Sequence, residues 1–355
     1  MRTNGEYTVG ILADDLTSAA DGAAPFVAQG LPAMVSRRGM PLVERAVVAI
    51  DSGSRSISVP AAATRVASLT ARLATRDVFY KTVDSTLRGN VSAELEASFK
   101  ASHRKMLVFA PAFPAAGRTT VHGVQLVDGM PVSESTYGRD PVHPARHSRL
   151  IDLVPSSIGS VVILDATTQG ELDAQIEAMP EPESILWVGS PGMAAALAKR
   201  LAPARRPCGP KAGGGADVLV VIGSANPRSH RQAEGIAQEP GVTLLRTPVM
   251  RHDDPAAVLR RIAQDAAERL RGGGFDTLIA TGGDTMEAIL DRLGIEAFEI
   301  LREIEPGFPL GLAALDNGRN LLIGMKAGGF GDDDALRRAI AHLREVSAVP
   351  KQVLP

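Results

Sequence analysis

Short runs of β-branched and aliphatic residues recur along the chain, each followed by an Ala/Leu-rich stretch of helical character, and this alternation reads as parallel strands covered by helices. The expected strands are Thr8–Leu12, Val47–Ile50, Val78–Thr82, Met106–Ala110, Val161–Leu164 and Ile185–Val188, then Val218–Ile222, Thr243–Leu245, Thr277–Ala280 and Leu321–Met325. Between the two groups runs LAPARRPCGPKAGGGAD, Leu201 to Asp217, rich in Pro and Gly and without periodicity. It reads as a linker, or as a long surface loop of a single domain. With 355 residues, 45% of them apolar, the chain can bury more than one core. The expectation is an α/β protein of two domains, 1–202 and 217–355, joined by 203–216. Each domain is expected to be a mainly parallel sheet flanked by helices.

Lys plus Arg at 38 against Asp plus Glu at 40 leaves no global field that would recommend nucleic acid or a membrane surface as a partner. The lone Cys208, the polar start from Met1 to Glu6 and the lack of an apolar run of about 18 residues point to the cytoplasm and to no membrane span.

In GILADDLTSAADGA, residues 10–23, two adjacent acids stand at the carboxyl edge of a strand, where open α/β sheets bind ligands. Thr17 or Ser18 then begins the helix. One acid suffices for a helix cap, so the second is left to water, a cation or a ligand. In FYKTVDSTLRGN, the residues Lys81, Asp84, Ser85, Thr86 and Arg88 fall within eight positions after another strand. Such a turn can hold an anionic, hydroxylated molecule such as a sugar acid, or it can be an internal Asp84–Arg88 salt bridge. A third strand end, VFAPAFPAAGRTT, contributes Arg118.

The second half offers glycines where the first offers charges. LIATGGDTMEAIL places Gly282, Gly283, Asp284 and Thr285 between a strand and a helix, and LLIGMKAGGFGDDDALRRAI does the same with Lys326, Gly328, Gly329 and Gly331. VLVVIGSANPRSHRQA adds Gly223, Ser224 and Asn226 before Pro227. Glycines let a backbone approach phosphate, and a helix start favours the anion. Asp332, Asp333 and Asp334 would repel a triphosphate there; they are expected in the first turn of the helix, facing solvent, with one in reach of magnesium. The Walker and G-x-G-x-x-G fingerprints are absent, as are HExxH and CxxC motifs, so no protein metal ligand is assigned.

The segments LADDLTSAADG, KTVDSTLRGN, APAFPAAGRTTVHGVQLVDGMPVSES, TGGDTMEAIL and MKAGGFGDDDAL, taken in order, resemble the four-carbon acid sugar kinase family over nearly the whole chain. The resemblance implies an N-terminal domain for the acid, a C-terminal domain for ATP, an active site in the cleft between the two domains, and transfer to a terminal hydroxyl of a threonate, erythronate, 3-oxo-tetronate or 3-oxo-isoapionate. Carried over by motif, Asp14, Lys81, Asp84, Ser85, Arg88 and Arg118 bind the acid and Asp15 is the base. Ser224, Gly282, Gly283, Asp284, Thr285, Gly328 and Gly329 contact ATP, with Mg²⁺ bridging the phosphates. A homodimer is compatible with this picture. Two alternatives stand beside it: a non-catalytic sugar-acid sensor, and a dinucleotide-dependent dehydrogenase, which the missing fingerprint disfavours.

Overall fold

The computed structural model describes residues 7–140, 142–202, 215–224, 226–247 and 254–348; segment 203–214, most of the expected linker, lies outside the described residues. The chain divides into two compact units, Met1–Cys208 and Gly209–Pro355. Among the described residues no helix is long and apolar enough to cross a membrane.

The first unit contains β1 (Val9–Ala13), β2 (Ala33–Arg37), β3 (Val47–Asp51), β4 (Val78–Thr82), β5 (Met106–Ala110), β6 (Arg118–Val121), β7 (Val124–Val127), β8 (Met130–Pro131), β9 (Val161–Ile163) and β10 (Ile185–Gly189). Its helices are α1 (Leu16–Ala28), α2 (Val59–Leu73), α3 (Val91–Ser102), α4 (Gln169–Glu177) and α5 (Pro191–Leu201). The main sheet runs β2-β3-β1-β4-β10-β5-β9, all parallel, while β6, β7 and β8 form a small antiparallel sheet. Ala13 stands opposite Asp51, Leu12 opposite Lys81, and Thr82 opposite Gly189, so the loops leaving these strands are neighbours along one edge. Helix α1 lies close on the sheet because Ala19, Ala20, Ala23 and Ala24 are all buried and a Cβ on Gly22 would come within 2.9 Å of Thr82 Cγ2.

The second unit contains β11 (Val218–Ile222), β12 (Val242–Arg246), β13 (Thr277–Thr281), β14 (Ala297–Glu305), β15 (Phe308–Ala314) and β16 (Asn320–Lys326), with α6 (Pro227–Glu234), α7 (Pro255–Arg271), α8 (Gly283–Leu293) and α9 (Ala335–Ala348). Strands β12, β11, β13 and β16 are parallel neighbours, and β15 and β14 continue the sheet antiparallel. Ile222 stands opposite Thr281 and Thr281 opposite Lys326, so the three turns that follow are side by side. Each unit is therefore a mainly parallel sheet flanked by helices.

Tight helix-on-sheet packing yields a direct test at Gly189, the last residue of β10. A Cβ there would overlap the Ala110 carbonyl and come within 2.6 Å of Met193 Cβ. Gly189→Ala should lower unfolding free energy by about 1–3 kcal/mol, the usual cost of overpacking. Urea denaturation with an unchanged midpoint would contradict so close an approach.

Candidate functional site

The loops after β1 and β3 are stitched together by their backbones: Ser52 N donates to the Ala13 carbonyl at 2.9 Å and Ser54 N to the Asp14 carbonyl at 3.0 Å. This sets Arg55 onto both acids. Its Nε donates to Asp14 Oδ2 at 2.7 Å, its Nη2 to Asp14 Oδ1 at 2.9 Å, and its Nη1 to Asp15 Oδ2. The helix cap belongs to Asp15, not to Asp14: Asp15 is extended, its Oδ1 accepts from Ser18 N at 2.7 Å, and α1 begins at Leu16, earlier than the expected Thr17 or Ser18. Asp14 stands one residue before the cap, with both its oxygens on Arg55. Burial raises the Asp15 carboxyl above its ordinary range and Asp14 adds to the rise, against the opposing pull of Arg55.

The segment Asp84–Asn90 lies against this pair through Gly89 and the Asn90 side chain. Asp84 Oδ2 accepts from Thr86 Oγ1 and from Arg88 Nε, both at 2.5 Å, so the internal ion pair is formed. Burial alone would raise the Asp84 carboxyl, but Arg88 and Arg55 overcome it and hold the group well below the ordinary carboxylate range. Gly89, at φ 92°, has only 3.1 Å between a would-be Cβ and Asp14 Oδ2, so a side chain there would crowd the Arg55 clamp. Asn90 Nδ2 donates to the Ser54 and Ile57 carbonyls at 2.9 and 3.0 Å, pinning the loop that carries Arg55. Ser85 is buried, and its carbonyl accepts from Gln125 Nε2 at 2.8 Å.

Lys81 is buried and held by protein partners. It is 0% exposed; its Nζ pairs with Glu94 Oε2 at 2.8 Å and donates to the Thr82 carbonyl at 2.7 Å. Glu94 also accepts from Ser54 Oγ at 2.6 Å, so Lys81 supports the Arg55 loop from behind. At the other flank, two guanidiniums meet the Tyr137 ring, with Arg88 5.3 Å and Arg118 5.6 Å from its centroid. Arg118 Nη2 donates to Tyr137 Oη at 2.8 Å, and Asp140 stands 3.6 Å from Arg88 Nη1. The Arg88 side chain is 25% exposed and can be reached from solvent.

In the second unit the three glycine turns converge. A Cβ on Gly223 would overlap Thr285, one on Gly328 would overlap Ser224 Oγ, and one on Gly282 would lie 3.6 Å from Ser224 Cβ. Ser224 thus sits among the turns, Thr285 is buried beneath Gly223, Gly282 precedes α8 at φ 94°, and Gly283 and the exposed Asp284 open that helix. Asn226 caps α6 by accepting from Arg228 N at 3.0 Å. Lys326 is buried with Nζ on the carbonyls of Ala327 and Phe330; burial, then Arg228, lowers it to about 7. The three aspartates after this turn precede α9 rather than forming its first turn. Each is paired: Asp332 with Arg338 at 2.8 Å, Asp333 with Arg231 at 3.1 Å and Asp334 with Arg337 at 3.0 Å. Each exposed arginine partner offsets part of the charge that would otherwise face a polyphosphate.

Arg55, Glu94 and Tyr137 were not anticipated. For Arg55 the signal was present, since DSGSRS follows an expected strand just as DSTLRGN does; Tyr137 follows no strand end and carries no such mark.

An α/β chain of two units with polar groups gathered at the carboxyl ends of parallel strands belongs to the ligand-binding class of such folds. Residues 9–162 match the family described as sugar-binding N-terminal domain, and residues 255–336 the family described as nucleotide-binding C-terminal domain. A D-threonate kinase of Bordetella bronchiseptica is 31% identical over 95% of this chain and 98% of its own. A 3-oxo-tetronate kinase of Pectobacterium atrosepticum is 26% identical over 93% and 98%. The solved structure of a Salmonella typhimurium LT2 protein, described as a tRNA synthase, is similar in fold with a TM-score of 0.76 at 21% identity, covering 94% of this chain and 98% of that one. The chain belongs to the four-carbon acid sugar kinase family.

The Asp84–Arg88 pair has a pH signature. A carboxyl held low in the folded state contributes stability above its unfolded value, near 3.8, and that contribution is lost as pH falls through and below it. Asp84→Asn should therefore cost about 1.5–3 kcal/mol at pH 7, the range for hydrogen bonds to charged groups. The difference in Tm between the two proteins should narrow as pH drops below about 4. A gap independent of pH would remove Asp84 from the pairing.

Proposed function

We propose that this protein is an ATP-dependent kinase that phosphorylates a terminal hydroxyl of a four-carbon sugar acid. The observation that carries it is the division of chemistry between the units: carboxylates and guanidiniums in one, converging glycine turns in the other, in a chain similar along most of its length to kinases of threonate and 3-oxo-tetronate. The sensor and the dehydrogenase give way to this reading.

In the first unit Arg88, partly exposed, forks onto the acid's carboxylate, with Arg118 alongside. Asp14 and Arg55 orient the hydroxyls, while Lys81, Asp84 and Ser85 hold the frame. Asp15 is the base. Its carboxyl is the one raised by burial, its side chain is 21% exposed, and Asp84, held low, is a poor proton acceptor. In the second unit Ser224, Gly282, Gly283, Thr285, Gly328 and Gly329 take the nucleotide. Phosphoryl transfer of this kind runs with Mg²⁺, which offsets phosphate charge; Asp284, exposed beside the glycines, fits an ion carried in on the nucleotide.

An ADP-release assay over D-threonate, D-erythronate and 3-oxo-tetronates tests the reading: acid-dependent ADP release is expected with at least one of them, and none with any would overturn it. Asp15→Asn tests the base. Asn caps a helix nearly as well as Asp, so the variant should keep its Tm while kcat falls roughly 10²–10⁴-fold with little change in the acid's KM. Asp14→Asn, which loosens Arg55, should act on KM instead; the opposite split reverses the two roles.

A further inference from the structure

The turn from Ala327 to Asp332 is gripped by its carbonyls. Lys326 Nζ holds those of Ala327 and Phe330 at 3.0 and 2.8 Å, Ser229 Oγ holds Gly328 at 2.9 Å, and Arg228 Nη1 holds Gly329 at 2.9 Å. Gln232 Nε2 holds Phe330 at 3.1 Å and Asp332 at 2.5 Å. Apart from Lys326, every one of these donors comes from α6. All peptide bonds among the described residues are trans, so the carbonyl of one residue and the N–H of the next point in opposite directions. Fastening the Ala327 and Gly328 carbonyls toward Lys326 and α6 therefore turns the Gly328 and Gly329 amides away from them. Among the described residues no acceptor meets those two amides. Two successive N–H groups without a protein acceptor, at a turn beside Ser224, suit an anion.

We infer that Lys326, Ser229 and Gln232 are positioning residues that hold the Gly328–Gly329 amides for the polyphosphate of the nucleotide, rather than for its base or ribose. The inference rests on the kinase reading and goes further by assigning the part of ATP that this turn binds and the side chains that prepare it. Gly328 has no room for a side chain because Ser224 Oγ occupies that space, and the turn cannot shift toward α6 because its carbonyls are already held there. The aspartates that follow are paired with Arg338, Arg231 and Arg337, which offsets part of their charge.

The test is the affinity of the full chain for ATP, ADP and adenosine, measured by calorimetry in wild type, Ser229→Ala, Gln232→Leu, Lys326→Met and Lys326→Arg, with thermal melts for folding. Loss of a clamp should weaken ATP and ADP about tenfold or more, leave adenosine within about twofold, and leave the acid's KM unchanged. Lys326→Arg, which keeps two donors, should recover part of the loss. A clamp that merely stabilised the fold would lower all three affinities in parallel, and that result overturns the inference. So does unchanged ATP affinity in the well-folded Ser229→Ala and Gln232→Leu variants. Wild-type protein that binds no ATP would instead overturn the kinase reading itself, so the two failures are distinguishable.

Discussion

Two carboxylates on adjacent residues at the end of a buried strand repel one another, and Arg55 is what lets Asp14 and Asp15 coexist. Burial works against the guanidinium's charge, yet Asp14, Asp15 and Asp84 together more than offset it, and the group is held firmly protonated. The surroundings follow from this requirement. The parallel register of β1 with β3 brings the acids and the arginine loop together, and Asn90 and Glu94 fasten that loop. Gly89 leaves space for the clamp. Removing Arg55 would leave two adjacent carboxylates uncompensated in a partly buried place, which is far costlier than losing an exposed ion pair.

The second unit solves a related problem with the opposite chemistry. A small acid presents one carboxylate and several hydroxyls, which planar guanidiniums and carboxylates can match by geometry. A polyphosphate carries its charge over several oxygens, and backbone amides at turns spread their donors along it without long side chains to order. The converging turns suit that task because a Cβ on Gly223 or Gly328 would collide with its neighbour and Gly282 takes a φ of 94° that side chains rarely adopt. Lys326 contributes from inside the turn, through carbonyls, and not as a point charge held out to solvent.

Strand periodicity was legible where strands are parallel and buried on both faces: Val78–Thr82, Met106–Ala110 and Val218–Ile222 lie where the apolar runs place them. It failed at β2, at the small sheet β6–β8 and at the β14–β15 pair. In β14 the run AFEILREIE mixes four charged residues into a nine-residue strand of irregular register, so no apolar run marks it. Site residues at strand ends were readable one loop at a time, but their partners were not. Lys81 reads as a free cation until Glu94, on the following helix, is seen to hold it, and the Asp14–Arg55 pair spans 41 positions. Local sequence carries the chemistry of each loop; the register of the sheet decides which loops meet.

The Tyr137 stack shows why such meetings matter for binding. Arg88 and Arg118 both lie within cation–π distance of the same aromatic ring, whose π-face attracts each guanidinium. Asp84 and Asp140 attend Arg88, and the Tyr137 hydroxyl attends Arg118, so neither cation is left to collapse onto an arbitrary neighbour. Side chains held in this way lose little rotamer freedom when a ligand arrives, because the ordering cost has already been met in folding. On the proposed reading, an incoming carboxylate meets guanidiniums already oriented, and the selectivity of the site for a short acid follows from the fixed spacing of Arg88, Tyr137 and Arg118 more than from the number of charges present.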